Sequence, residues 1–162
     1  MQRYFIENMN IKNKTAVILG ADFHHIKNVM RSKVGDNLIV CQDGICFKAI
    51  INSFTNDEVV CSLETELETP LKDFHVTIAQ GLIRRERFEY MLQKATELGA
   101  DSIIPMMSQH SIVKVDPQKV GFKIDRWNKI TKEASEQSHR NTKCLVHSIE
   151  DLHSIKFKSF DI

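Results

Sequence analysis

Arg84, Arg85 and Arg87 put three guanidinium groups into four positions, just after the β-prone run Phe74-His75-Val76-Thr77-Ile78-Ala79-Gln80 and Gly81. That is the carboxyl end of a strand, where open α/β sheets bind ligands. The density of the cluster favours a clamp for phosphate over an exposed loop whose arginines pair with Glu86 and Glu89. A second cationic series is Arg3, His24, His25, Lys27 and Arg31. Lys27 and Arg31 are spaced i, i+4, so a helix carries both on one side, and its first residues lie at the positive end of the helix dipole. Such a face would contact a nucleic-acid backbone, with the imidazole rings able to stack on unpaired bases. The plainer alternative is a solvated helix face with one histidine packed inward, and the residues alone favour it.

Other polar groups read more evenly. Lys94 and Glu97 are one helical turn apart, which suits a surface ion pair worth a few tenths of a kcal/mol. Glu133, Glu136, Gln137 and Arg140 close a long helical pattern. They serve either as ordinary helix-surface hydrogen bonding or, for Gln137 and Arg140, to face a substrate or a dimer partner. Met106, Met107 and Trp127 are expected in the core. Cys41, Cys46, Cys61 and Cys144 form no CxxC pair, and neither they nor the seven histidines show the closely spaced ligand pairs that zinc needs. All four cysteines are expected as buried, reduced thiols.

The elements that must position these groups divide the chain in two. Of its 162 residues, 42% are hydrophobic and 27% charged, an ordinary globular balance that excludes disorder. The apolar run Ser102–Met107 is far too short to span a bilayer. Met1-Gln2-Arg3-Tyr4-Phe5-Ile6-Glu7 lacks the basic and apolar regions of a secretory signal, so a cytoplasmic protein is expected. The net charge of +1 divides into −2 over residues 1–70 and +3 over 71–162. Neither half is basic enough to indicate nucleic-acid binding by charge alone.

Residues 1–70 are β-rich. Arg3–Ile6, Thr15–Leu19, Asn37–Cys41, Ile45–Ile50 and Val59–Leu63 are short strand-like runs, and Asp43-Gly44 supplies a hairpin turn needing positive φ. One helix is expected with Asp22 as N-cap, Phe23–Arg31 as its body and Ile26, Val29 and Met30 as its buried stripe. Several short strands with one helix predict a small barrel. Glu64–Pro70 is acidic, ends in proline and is the linker candidate.

After the linker the rhythm becomes strand (Phe74–Gln80), helix (Glu86–Leu98, with Gly99 as its stop), strand (Ser102–Met107), helix (Val120–Ser138) and short strand (Cys144–Ile149). This is a βαβ pattern that implies a parallel sheet. The last residues suggest a weak helical turn and Phe160-Asp161-Ile162 a further strand, so this half reads as an unfinished sheet.

The two halves together resemble a known family. Arg3-Tyr4-Phe5, His24-His25-Ile26-Lys27-Asn28-Val29-Met30-Arg31, Gly35-Asp36 and Asp43-Gly44 resemble the PUA-like domain of the RsmE family of 16S ribosomal RNA uridine N3-methyltransferases. Lys94-Ala95-Thr96-Glu97-Leu98-Gly99, Ile104-Pro105, Ser111 and Glu133-Ala134-Ser135-Glu136-Gln137-Ser138 with Arg140 look like the start of that family's SPOUT catalytic domain. The order and spacing hold along nearly the whole chain. Two positions depart from the family: His110 where arginine usually precedes the serine, and Cys144 where proline is usual.

The resemblance implies a PUA-like RNA-binding domain over residues 1–70 and the N-terminal part of a SPOUT domain over 73–162. It implies S-adenosylmethionine as methyl donor, 16S rRNA or the small ribosomal subunit as partner, and a homodimer. The family's Gly-Pro-Glu-Gly-Gly loop and Leu-Gly-x-Arg-Ile-Leu-Arg stretch, which form the cofactor-holding knot, do not occur in these 162 residues. No catalytic residue, cofactor ligand or metal ligand is therefore expected within them. Arg3, His24, His25, Lys27, Arg31, Arg84, Arg85 and Arg140 are RNA-side candidates, and the chain alone is expected to be inactive. A stand-alone RNA-binding module without catalysis is the other reading.

Overall fold

The computed structural model describes residues 1–69, 72–107 and 116–155. It divides into two compact units, Met1–Leu71 with His139–Thr142, and Lys72–Ser138 with Lys143–Ile162. Among the described residues, no helix is long and apolar enough to cross a membrane.

The first unit is a six-stranded sheet of β1 (Arg3–Phe5), β2 (Asn8–Asn10), β3 (Thr15–Leu19), β4 (Asn37–Gln42), β5 (Ile45–Phe54) and β6 (Glu58–Glu66), in the order β1-β4-β5-β6-β3-β2. β1 runs parallel to β4 and every other pair is antiparallel. The edge strands β1 and β2 are joined through Ile6 and Glu7 alone. Three chain steps reach at most roughly 10 Å, so the sheet must curl until its edges adjoin. The small barrel expected from the short strands is realised as a curled half-barrel, and that connection is the reason. Its concave side holds Tyr4, Ile18, Val40, Ile51, Val59 and Leu63, and a smaller cluster joins Phe5, Ile39, Cys41 and Cys46. The acidic stretch expected as linker begins inside the sheet: Glu64–Glu66 belong to β6, and Glu66 pairs with Phe47 beyond a register shift. Its end at Pro70 lies outside the described residues.

Two expectations about this unit are corrected. Cys41 and Cys46 form a disulfide, while Cys61 and Cys144 are buried thiols outside any disulfide. The Asp43-Gly44 turn, with φ of 51° and 85°, sets Gln42 opposite Ile45 and therefore Cys41 opposite Cys46. Their Cα atoms are 4.1 Å apart, the close approach of a non-hydrogen-bonded pair. The helix also differs. It is α1 (Gly20–His24) followed by a π-helical turn over His25–Val29, and Asp22 is not its cap. The wider turn, closed by Met30 N–H to the His25 carbonyl at 2.9 Å, alters the face that α-helical spacing would give. Ile26 is 1% exposed, but Val29 is 60% and Met30 48% exposed.

The second unit is a parallel sheet of β7 (Thr77–Gly81), β8 (Ser102–Met107), β9 (Leu145–Val146) and β10 (Glu150–Asp151), with helices α2 (Arg85–Glu97) and α3 (Val120–Gln137). β8 is central. β7 flanks it on one side; on the other, β9 pairs with Ser102–Ile103 and β10 with Met106–Met107. The single strand expected over Cys144–Ile149 is thus two short pieces. α2 ends as Gly99 at φ 102° allows, with Gly99 N–H bonded to the Thr96 carbonyl and Ala100 N–H to the Ala95 carbonyl, the Schellman pattern. Phe88 of α2 and Trp127 of α3 pack with ring centroids 4.7 Å apart, over Leu82, Leu92 and Ile103. Asn128 completes β9: its side chain accepts from Val146 N–H at 2.9 Å and donates to the Val146 carbonyl at 3.2 Å, satisfying a backbone that pairs with no strand on that side among the described residues. The expected strand at Phe160–Ile162 lies outside the described residues.

Candidate functional site

The structure separates the cationic candidates into three settings. His24, His25, Lys27 and Arg31 come from one continuous segment of the first unit. Lys27 is exposed and lies 5.0 Å from the Phe23 ring centroid, while His25 Nδ1 and the Tyr4 hydroxyl are 2.9 Å apart. Arg31 is exposed but has left the helix, with φ +54°, so helical spacing does not set its direction.

Arg3 and Arg140 occupy the second setting, and both belong to the first unit. Arg3 is only 6% exposed, and its Nη1 donates to the Arg140 carbonyl and to Asn141 Oδ1, each at 2.6 Å. Cys46 Sγ lies 3.8 Å from the same nitrogen. Burial lowers the Arg3 pKa from its usual value, as expected for a cation withdrawn from water. The structure places this guanidinium inside the unit, holding the 139–142 segment, and not on the basic face with Lys27. The local cause lies in α3, which stops at Ser138 and turns through His139 at φ +58°. The helix end is also tied down: Ser135 Oγ, fully buried, donates to the Thr131 carbonyl and accepts from Cys144 N–H at 3.2 Å. Glu136 is buried beside Lys132, while Gln137 faces a groove between α2 and α3. His110 and Ser111 lie outside the described residues.

Arg84 and Arg85 form the third setting, exposed at the start of α2 just beyond β7. Arg85 Nε reaches Glu89 Oε1 at 3.0 Å, the pairing that the sequence offers as the bland alternative. The stronger partner is one that sequence reasoning missed: Arg126 of α3 donates from Nε to Glu89 Oε1 at 2.6 Å and from Nη2 to Oε2 at 2.9 Å. This two-pronged bridge joins the helices across 37 positions of sequence. The available signal was the place of Arg126 beside Trp127 on the helix stripe.

The Arg126 hydrogen bonds above all hold the Glu89 carboxyl down at about 2, against its ordinary 4.5; burial opposes them and the Arg85 bond assists. A depressed carboxyl contributes stability above its unfolded pKa and loses it as pH falls through the folded one. The bridge should therefore persist at pH 4.5 and fade towards pH 2. Thermal melts across that window should show a steeper acid loss for the wild type than for Glu89→Gln; parallel curves would remove the bridge from the account.

Two cavities flank Arg126. One of about 470 Å³ is lined by Glu89, Gln93, Glu97, Glu133 and Gln137 and is acidic. Lys94 and Glu97 pair at its side at 2.7 Å, as their spacing predicts. The other, of about 440 Å³, lies at the carboxyl end of β7. Leu82, Phe88, Trp127 and Phe122 form its apolar lining, with Arg85, Lys119, Lys123 and Arg126 around them. Lys119, Phe122 and Lys123 had no part in the sequence reading.

A family profile described as an RNA methyltransferase domain matches residues 44–160, and one described as an RNA methyltransferase PUA domain matches residues 18–64. The chain is 43% identical over 164 residues to ribosomal RNA small subunit methyltransferase E of Bacillus subtilis, covering 96% of this chain and 62% of that protein. The solved structure of the Neisseria gonorrhoeae enzyme of that name, bound to S-adenosyl methionine, superposes with a TM-score of 0.83 at 27% identity, over 93% of this chain and 63% of that one. A Legionella pneumophila methyltransferase structure shares the fold, with a TM-score of 0.85 at 24% identity over 95% of this chain and 66% of that one. The chain thus spans less than two thirds of the length of each of these three relatives.

Proposed function

The chain belongs to the RNA methyltransferase family, and from that membership we propose that it serves in the N3-methylation of a uridine in 16S ribosomal RNA, in the cytoplasm and as a homodimer. The observation that carries this reading is the 0.83 superposition on an S-adenosyl methionine-bound small-subunit rRNA methyltransferase over 93% of the chain, including the βαβ core. In this reading residues 1–70 are a PUA-like RNA-binding module and residues 73–162 the first part of a SPOUT domain.

S-adenosylmethionine would supply the methyl group. At the carboxyl ends of β7 and β8 the described chain offers Leu82, Ile83, Met106 and Met107. Glu150 in β10 is already engaged by Ser148 and Ser154 hydroxyls at 3.0 Å each. Among the described residues no glycine-rich loop presents successive backbone donors there, so these residues do not by themselves fit the cofactor. What this chain contributes is position. N3 of uridine must be deprotonated and its base freed from stacking, and the backbone on either side must be held while that happens. The exposed His24, Lys27, Arg31 and Arg84 are suited to that holding. Arg85 would join them by exchanging its Glu89 bond for phosphate.

Deleting the gene should remove one N3-methyluridine from 16S rRNA, read by nucleoside mass spectrometry, and the gene on a plasmid should restore it. An unchanged modification would leave the RNA-binding module without catalysis as the better reading. For the module itself, Lys27→Ala with Arg31→Ala should weaken RNA binding and flatten its salt dependence by roughly 0.7 for each phosphate no longer neutralised. Fluorescence anisotropy at several salt concentrations measures both. Unchanged affinity and slope would return that segment to a solvated surface.

A further inference from the structure

We propose that the cavity at the carboxyl end of β7 is a stacking pocket for one unpaired nucleotide of the RNA, with Phe122 as its base platform and Lys119 and Lys123 as its phosphate contacts. The inference rests on the RNA-directed reading above and adds to it a site on the second unit.

The cavity has about 440 Å³, within the range of small-ligand sites and roomy for a base with its sugar. Its floor is fixed, because Leu82, Phe88 and Trp127 are buried at 5%, 1% and 6% exposure and belong to the core of this unit. Phe122 is different. It lines the same cavity yet is 79% exposed, and Ile83 beside it is 40% exposed. A core-lined cavity with a solvent-facing aromatic ring at its rim offers a flat apolar surface to an incoming planar group.

Charge decides which planar group fits. The cavity is lined by four cations, Arg85, Lys119, Lys123 and Arg126, and one carboxylate, Glu89. Arg126 and Arg85 already neutralise Glu89. Lys119 has only a long contact of 3.8 Å with Asp116, and Lys123 has no carboxylate partner among the described residues. The excess of positive charge would repel a basic segment and does nothing for a neutral apolar one. An aromatic platform beside exposed cations matches a single strand, whose bases all present a π-face and whose backbone is anionic. A duplex, with its bases stacked inside, could not use the platform. A second copy of this chain is the competing occupant.

The chain has one tryptophan, Trp127, and it lines this cavity. Its fluorescence therefore reports entry into the pocket, while anisotropy of a fluorescein-labelled uridine-rich single-stranded RNA reports binding anywhere on the chain. Both signals should titrate together. Phe122→Ala should weaken binding about tenfold, at the lower end of what stacking on one aromatic contributes. Lys119→Ala with Lys123→Ala should lower the salt slope by about 1.4, the share of two phosphates left without a cation. A matching strand of abasic ribose-phosphate should bind without changing the Trp127 signal. Circular dichroism should show both variants folded, since the three substituted side chains are at or near the surface.

Anisotropy that rises while Trp127 is unmoved would overturn the pocket and leave RNA binding standing. No rise in either signal would overturn the RNA-directed reading, and the pocket with it. A light-scattering mass that falls in Phe122→Ala, with RNA affinity unchanged, would assign this face to a second copy of the chain and overturn the nucleotide.

Discussion

Trp127→Ala is expected to destabilise the second unit by about 3–5 kcal/mol, the cost of deleting a large buried aromatic side chain. Trp127 is 6% exposed, and its ring packs against Phe88 at 4.7 Å and a 50° tilt. Truncation leaves a hole at the contact between α2 and α3. The neighbouring helices are pinned by the Glu89–Arg126 bridge and by Asn128 on β9, so the hole cannot easily collapse. Urea unfolding followed by far-UV circular dichroism should show the midpoint fall sharply. Trp127→Phe keeps most of the ring packing and should recover most of the stability. If Trp127→Ala unfolds at the wild-type midpoint, the two helices are held by something other than this aromatic pair.

Arg3→Ala should lower the stability of the first unit by about 3 kcal/mol, since hydrogen bonds to a charged group contribute roughly 1.5–3 kcal/mol each and truncation leaves their partners unmet. The acceptors are the Arg140 carbonyl and Asn141 Oδ1, both bonded at 2.6 Å to one guanidinium nitrogen. Arg3→Lys is not expected to rescue fully, because the lysine side chain ends one atom short of the Nη1 position that makes both bonds. The opposite outcome is equally readable. If Arg3→Ala leaves the urea midpoint unchanged but lowers the salt slope of RNA binding by the share of one phosphate, the guanidinium reaches the RNA and its burial is not what matters.

Much of the architecture is local and was therefore legible. Thr15–Leu19 and Ser102–Met107 are strands with the bounds read from their composition, and α2 and α3 fall within one or two residues of their periodic stripes. Asp43-Gly44 and Gly99 act where their freedom at positive φ is needed. β2 was not legible: Asn8-Met9-Asn10 has no strand-like composition and is a strand because β3 lies beside it. The π-helical turn at His25–Val29 was hidden for a related reason, since α-helical spacing assumes the hydrogen-bond register that the turn abandons.

The candidate site divides along the same line. Residue type and order along the chain were enough to mark Lys27, Arg31, Arg84 and Arg85 as exposed cations and to carry the family resemblance, because charge and short motifs are properties of neighbours in sequence. Three further facts were decided by tertiary structure: Cys41 meets Cys46 across a hairpin, Arg3 is engaged by residues 137 and 138 positions away, and Phe122 stands over a cavity built on Phe88 and Trp127. Each depends on which backbone segments come to lie side by side, and burial, unlike charge, belongs to the place a residue occupies and not to the residue.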